Sequence, residues 1–102
     1  NKLIYLDSFD LDFINPYPAA FHGLKEFIAI EPLLNKNTLL LIDDTPKSLE
    51  FINDEKKKAA AKNFYNKKHM YPGKGMFIYE ILKNRIDVEL ILHEYQLLYI
   101  FK

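Results

Sequence analysis

Hydrophobic positions along this chain fall into two kinds, short unbroken runs and longer stretches with a helical repeat. Leu3-Ile4-Tyr5-Leu6 and Thr38–Ile42 are runs of strand length that lack the alternation of a half-buried strand. Such runs predict strands covered on both faces, the pattern of a parallel sheet. Between them, Asn15-Pro16-Tyr17-Pro18 closes a loop that begins near Phe9. Two prolines so close disfavour helix there and push the preceding residues towards extended geometry. From about Ala19 the repeat is helical: Ala20, Leu24, Phe27 and Ile28 share one face, and His22, Lys25, Glu26 and Ala29 the other. Pro32 stops or kinks this helix, and Asn35-Lys36-Asn37 is a turn. Strand, helix, strand in that order predicts a right-handed parallel unit.

A polar connection then runs from residue 45 to about 73. Within it, residues 54 to 68 are rich in helix formers, with Asp54 placed as the N-cap and the lysines on a solvated face. Pro72-Gly73-Lys74-Gly75 breaks this helix and starts another, from Met76 to about Arg85. Lys83 and Arg85 fall in its last turn, where the helix dipole favours cations. Two further apolar runs, 88 to 92 and 97 to 101, flank His93-Glu94-Tyr95-Gln96 and predict an antiparallel hairpin, with one long bent strand as the alternative. The expected fold class is therefore α/β: two parallel strands plus a C-terminal antiparallel pair, with flanking helices.

Composition narrows this picture. At 102 residues and 49% hydrophobic, the chain can bury one modest core. An apolar strand that opens at Leu3 needs neighbours on both edges, so residues 1–102 are expected to form a single partial domain, the C-terminal portion of a larger one. A missing N-terminal half or a homo-oligomer would then cover the first strand. Fourteen basic side chains cancel fourteen acidic ones, which argues against a dedicated nucleic-acid or membrane-surface binder. Cysteine is absent, which excludes disulfides, thiolate chemistry and cysteine-ligated zinc. With no apolar stretch of membrane-spanning length and no signal-like opening, a cytoplasmic location is expected.

The candidate chemistry lies at the strand ends. Leu6 is followed by Asp7-Ser8-Phe9-Asp10-Leu11-Asp12, and Ile42 by Asp43-Asp44. Carboxylates at the rim of a core must be solvated or paired. Either cluster alone reads as a loop or helix cap. Together, on adjacent parallel strands, they converge at the carboxyl edge, where open α/β sheets bind ligands. An oxygen-only donor set suits a hard cation such as Mg²⁺. Asp10-Leu11-Asp12 also has the Asp-x-Asp spacing of nucleotide-sugar glycosyltransferases. Gly73-Lys74-Gly75 at a helix start offers an anion site, although packing is the commoner use of such glycines. His22, on the polar face near its helix N-terminus, is a candidate base or substrate contact, set against an idle surface histidine. His69 and His93 have no partner by spacing. No Walker-type or dinucleotide glycine loop follows the first strand.

The ordered series Tyr5-Leu6-Asp7-Ser8-Phe9-Asp10, His22-Gly23-Leu24-Lys25-Glu26, Leu41-Ile42-Asp43-Asp44-Thr45-Pro46 and Gly73-Lys74-Gly75 resembles the C-terminal half of a class I S-adenosylmethionine-dependent methyltransferase. Within that superfamily it is most similar to the metal-dependent macrocin O-methyltransferase group. The resemblance implies a Rossmann-like fold in which the strands ending at Leu6 and Ile42 are the fourth and fifth of seven. It implies that Asp7, Asp43 and Asp44 hold Mg²⁺, and that Asp7, Ser8 and Phe9 line S-adenosylmethionine. Asp10, with His22 behind it, would be the base, although Asp7 to Asp10 is a looser spacing than the family's Asp-x-Asp. The glycine-rich cofactor loop of the superfamily is not in these residues. The expected activity is methyl transfer to a hydroxyl of a small molecule or sugar. The alternatives are a metal-dependent glycosyl or phosphoryl transferase using Asp10 and Asp12, and a non-catalytic, truncated methyltransferase-like module.

Overall fold

The computed structural model describes residues 2–7, 10–67 and 70–102. Strand β1 (Lys2–Leu6) leads through a loop to helix α1 (Tyr17–Ile30), a short 3-10 turn at Glu31–Leu33 and strand β2 (Thr38–Ile42). A second 3-10 turn (Leu49–Phe51) precedes helix α2 (Glu55–Lys67). Helix α3 (Met76–Leu82) and strands β3 (Val88–His93) and β4 (Leu97–Phe101) complete the chain. The sheet order is β1-β2-β4-β3. β1 and β2 are parallel, while β4 runs antiparallel to both β2 and β3. This is a small α/β domain with a mixed four-stranded sheet, and the expected hairpin is present.

One face of the sheet carries the main core. Leu6, Leu40, Ile42, Leu97, Tyr99 and Phe101 pack against Phe27 of α1 and Ile78 and Leu82 of α3. The helix starts at Tyr17, earlier than the expected Ala19, because Pro18 falls in the first turn, where its missing amide costs no intrahelical bond; it turns at Pro32. Its buried stripe is Ala19, Ala20, Gly23 and Phe27, so Ile28, expected on the core face, is 59% exposed. The small residues decide this, because they let the α1 backbone approach its neighbours more closely than the Leu24–Ile28 side would. Helix α3 ends at Leu82, earlier than expected, and Lys83 and Arg85 lie beyond it, where Arg85 pairs with Asp87 and Glu31. Helix α2 is capped as predicted: Asp54 Oδ1 accepts the Lys56 and Lys57 amides at 2.8 and 3.1 Å.

The other face is open among the described residues. Leu3, Leu39, Ile100 and Glu89 form one cross-strand row, and Tyr5, Leu41, Leu98 and Leu92 the next. Leu3 is 60% and Tyr5 47% exposed, so β1 is covered on one face rather than the expected two. Among the described residues no helix is long and apolar enough to cross a membrane.

Candidate metal centre

The parallel register pairs Leu6 with Ile42, so the residues that follow each strand become neighbours at one edge. The Asp43 amide donates to the Leu6 carbonyl at 3.1 Å and holds Asp7 beside Asp43. Asp44 adopts a left-handed backbone, φ 49°, which aspartate tolerates better than most residues. The result is a cluster in which one carboxylate oxygen from each of Asp7, Asp43 and Asp44 lies within 4.8 Å of the others.

Neutral donors orient these carboxylates. Tyr5 donates its hydroxyl to Asp43 Oδ2 at 3.0 Å, and Gln96 Nε2 donates to Asp43 Oδ1 at 3.0 Å. The Tyr95 hydroxyl donates to Asp44 Oδ1 at 2.8 Å. Beneath them Thr45, wholly buried, donates Oγ1–H to the Asp43 carbonyl and accepts the Gly75 amide, both at 2.9 Å. The Thr45 amide donates to the Tyr95 carbonyl at 2.8 Å, and the Lys74 amide to the Asp44 carbonyl at 3.1 Å. Gly73 permits this approach: at φ 137° it has no Cβ, which would sit 1.9 Å from the Asp44 carbonyl oxygen.

Electrostatics follow from that geometry. The hydrogen bond with Asp43 raises the Asp7 carboxyl above its ordinary range, with lost hydration and the Asp43 and Asp44 charges adding to it. Lost hydration acts upward on Asp43 too, but hydrogen bonds from Gln96, the Asp44 backbone, Asp7 and Tyr5 outweigh it and hold Asp43 low. Burial raises Asp44, more than the Tyr95 hydrogen bond lowers it. Lost hydration and the bond to Asp43 push the Tyr5 phenol up to about 12, so it stays a donor. The pattern is that of acids sharing one site and crowding one another's charge.

The donor set fits a hard divalent cation. Opposite ligands around Mg²⁺ stand ~4.2 Å apart and around Ca²⁺ ~4.8 Å, from bonds of ~2.1 and ~2.4 Å. The three oxygens lie within 4.8 Å of one another, which meets the Ca²⁺ span as they stand. Hydrogen-bonded ligands of this kind are pre-oriented by their surroundings.

Among the described residues, the other expected site residues Asp10, Asp12 and His22 are not members of that cluster. Asp10 is exposed and is not one of the clustered carboxylates. Asp12 accepts the Ile14 amide on Oδ1 at 2.9 Å, a local turn. His22 Nε2 lies 3.7 Å from Glu26 Oε1, which in turn lies 3.5 Å from Lys74 Nζ. Ser8, Phe9 and His69 lie outside the described residues. The Gly73-Lys74-Gly75 turn is a packing device rather than an open anion site: the Gly75 amide is committed to Thr45, and the Lys74 side chain is 0% exposed.

Tyr5, Thr45, Tyr95 and Gln96 were not singled out by their residue types. Strand alternation does place Tyr5 on the side of Asp7. Tyr95 and Gln96 reach the site because Ile42 pairs with Leu97, which only the fold reveals. Compared with protein-family models, with curated proteins and with solved structures, the chain matches none.

Proposed function

We propose that this chain is the metal- and acceptor-binding portion of an S-adenosylmethionine-dependent O-methyltransferase acting on a small-molecule or sugar hydroxyl. The observation that carries the reading is the meeting of Asp7, Asp43 and Asp44 at the carboxyl edge of two adjacent parallel strands. The sequence resemblance expects a metal at those three positions, and an antiparallel terminal pair in the same sheet agrees with it.

In this reading a bound divalent cation supplies Lewis acidity towards the acceptor hydroxyl, and the cofactor supplies the methyl group. The chain's own part is to hold and orient. Asp7, Asp43 and Asp44 present the oxygens, while Tyr5, Gln96 and Tyr95 fix the rotation of two of the carboxylates. The loop 43–45, tied to the turn at 73–75, removes the freedom that would otherwise be lost on binding. Of the residues expected to line the cofactor, Asp7 is described, and Ser8 and Phe9 lie outside the described residues. The Asp10/Asp12 transferase reading has less support, since Asp12 is engaged in its own turn.

Calorimetric titration with Mg²⁺ or Ca²⁺ tests the proposal. Asp43→Ala and Asp44→Ala are each expected to weaken binding at least about tenfold with the circular dichroism spectrum unchanged, comparable to losses at supporting ligands of metal sites. Unchanged affinity in both variants would overturn the metal centre. S-adenosylhomocysteine binding in the presence of the metal tests the cofactor half.

A further inference from the structure

An apolar hollow of about 330 Å³ lies between α2 and the loop that enters α1. Phe13, Pro16 and Tyr17 line it from the loop side and Phe64 from the helix. It opens over the seam between two packed groups. Phe13 belongs with Ile52 and Ala61, and Phe64 with Ala20 and Met76. Between them α2 contributes Ala60, whose methyl group leaves the space unfilled. Ile14, also in the lining, is 83% exposed, so apolar surface at this edge stands uncovered. None of Asp7, Asp43 and Asp44 lines the hollow, and its ligand is therefore not the acceptor at the metal centre.

Shape and charge narrow the ligand. Tyr17 and Phe64 meet edge to face, with ring centroids 6.0 Å apart, and Phe13 adds a third ring. Rings so placed favour a flat aromatic guest beyond the gain from area alone. A cavity of ~150 Å³ takes benzene, so about twice that volume takes two fused rings. Asn63 and Lys67 line the hollow, are exposed, and stand one helical turn apart on α2. Among the described residues no carboxylate lines the hollow, and Lys67 makes no ion pair. An ammonium beside an amide N–H suits one carboxylate. Lys67 lies in the last turn of α2, where the negative end of the helix dipole offsets part of its pull on an anion. Apolar contact thus supplies most of the affinity, and the charge supplies selectivity.

We infer that this hollow binds an aromatic monocarboxylate of two fused rings, its ring system among Phe13, Tyr17 and Phe64 and its carboxylate on Lys67 and Asn63. The inference is independent of the methyltransferase reading.

An amide NMR titration of the whole chain, without divalent metal, tests it with 2-naphthoate, 2-naphthamide and 2-naphthylmethylammonium. The naphthoate is expected to shift the Tyr17, Ala60, Asn63 and Phe64 amides. It should bind about two- to fivefold more tightly than the naphthamide, the range for one exposed ion pair, with the ammonium weakest. Lys67→Glu, at an exposed position, should reverse the order of naphthoate and ammonium and leave the naphthamide within about twofold of the parent. Ala60→Leu, which fills the hollow, should weaken all three, with circular dichroism to show that it folds. Absence of binding, or shifts confined to the bare sheet face at Leu39, Leu98 and Ile100, overturns the inference. So does a naphthamide or ammonium that binds as tightly as the naphthoate, or an order unchanged in Lys67→Glu.

Discussion

Asp7 serves two ends that pull against each other. Without a cation its charge crowds Asp43 and Asp44; with one, it completes the donor set. Asp7→Asn keeps a hydrogen-bond donor beside Asp43 and removes one negative charge. The expected outcome is a higher melting temperature in the absence of metal and loss of the rise that Mg²⁺ gives the parent, read by thermal denaturation with and without Mg²⁺. A variant that still gains stability from Mg²⁺ as the parent does would contradict the assignment. His93 supplies a pH dependence of its own. Burial keeps its imidazole below the ordinary range, against the 2.8 Å bond from its Nε2 to the Thr45 carbonyl, which favours the charged form. The unfolded chain takes up a proton near pH ~6.5, before the native state does. The stability tied to His93 is thus complete above that pH and is lost as pH falls towards the native pKa. Urea midpoints should drop on acidification through about pH 6, and less so in His93→Gln, which can still donate to Thr45. A parallel pH profile in the two proteins would remove His93 as the cause.

At the scale of elements, α1 and the turn that opens α3 meet backbone to backbone. A Cβ on Gly23 would stand 2.2 Å from the Lys74 carbonyl oxygen and 2.8 Å from Lys74 Cγ. Gly23→Ala gains ~1 kcal/mol of helix propensity. Overpacking costs ~1–3 kcal/mol, and here the obstacle is backbone, which yields little. The net is expected to be a destabilisation, with weaker metal binding as well, because the displaced turn also donates to the Asp44 carbonyl. Chemical denaturation with a metal titration checks both; unaltered stability would show that the helix can slide. The same contact explains what the residue pattern could and could not disclose. Prolines at 16 and 32 bracket α1 and were legible, as were the Asp54 cap and the run Thr38–Ile42. The helix's rotation was not, because apolar size favoured Leu24 and Ile28, whereas packing chose Gly23. The acidic strand ends were legible because charge beside a core is costly. Their partners Tyr95 and Gln96 were not, since they arrive from about fifty residues away.

Over the whole molecule, the sheet has one dressed and one bare side. Four strands of five or six residues at ~4.8 Å spacing and ~3.3 Å rise make a face of roughly 300 Å². That is the size of a large patch on a monomer and falls short of the ~800 Å² per partner of a standard interface. The chain is therefore expected to bind an apolar dye and to associate weakly as concentration rises, by fluorescence and sedimentation. A dye-silent monomer at high concentration would show that the bare side is tolerated. The order of the strands has a consequence in time. β4, the last strand in sequence, lies between β2 and β3, so β2 keeps an unpaired edge until residues 97–101 have been made. A nascent chain that has completed the β1–α1–β2 unit still lacks the strand that joins it to β3. It must wait, with that edge open to any passing strand, for the piece that closes it. Slower synthesis beyond residue 42 lengthens that exposure, and with it the chance of pairing with the wrong strand.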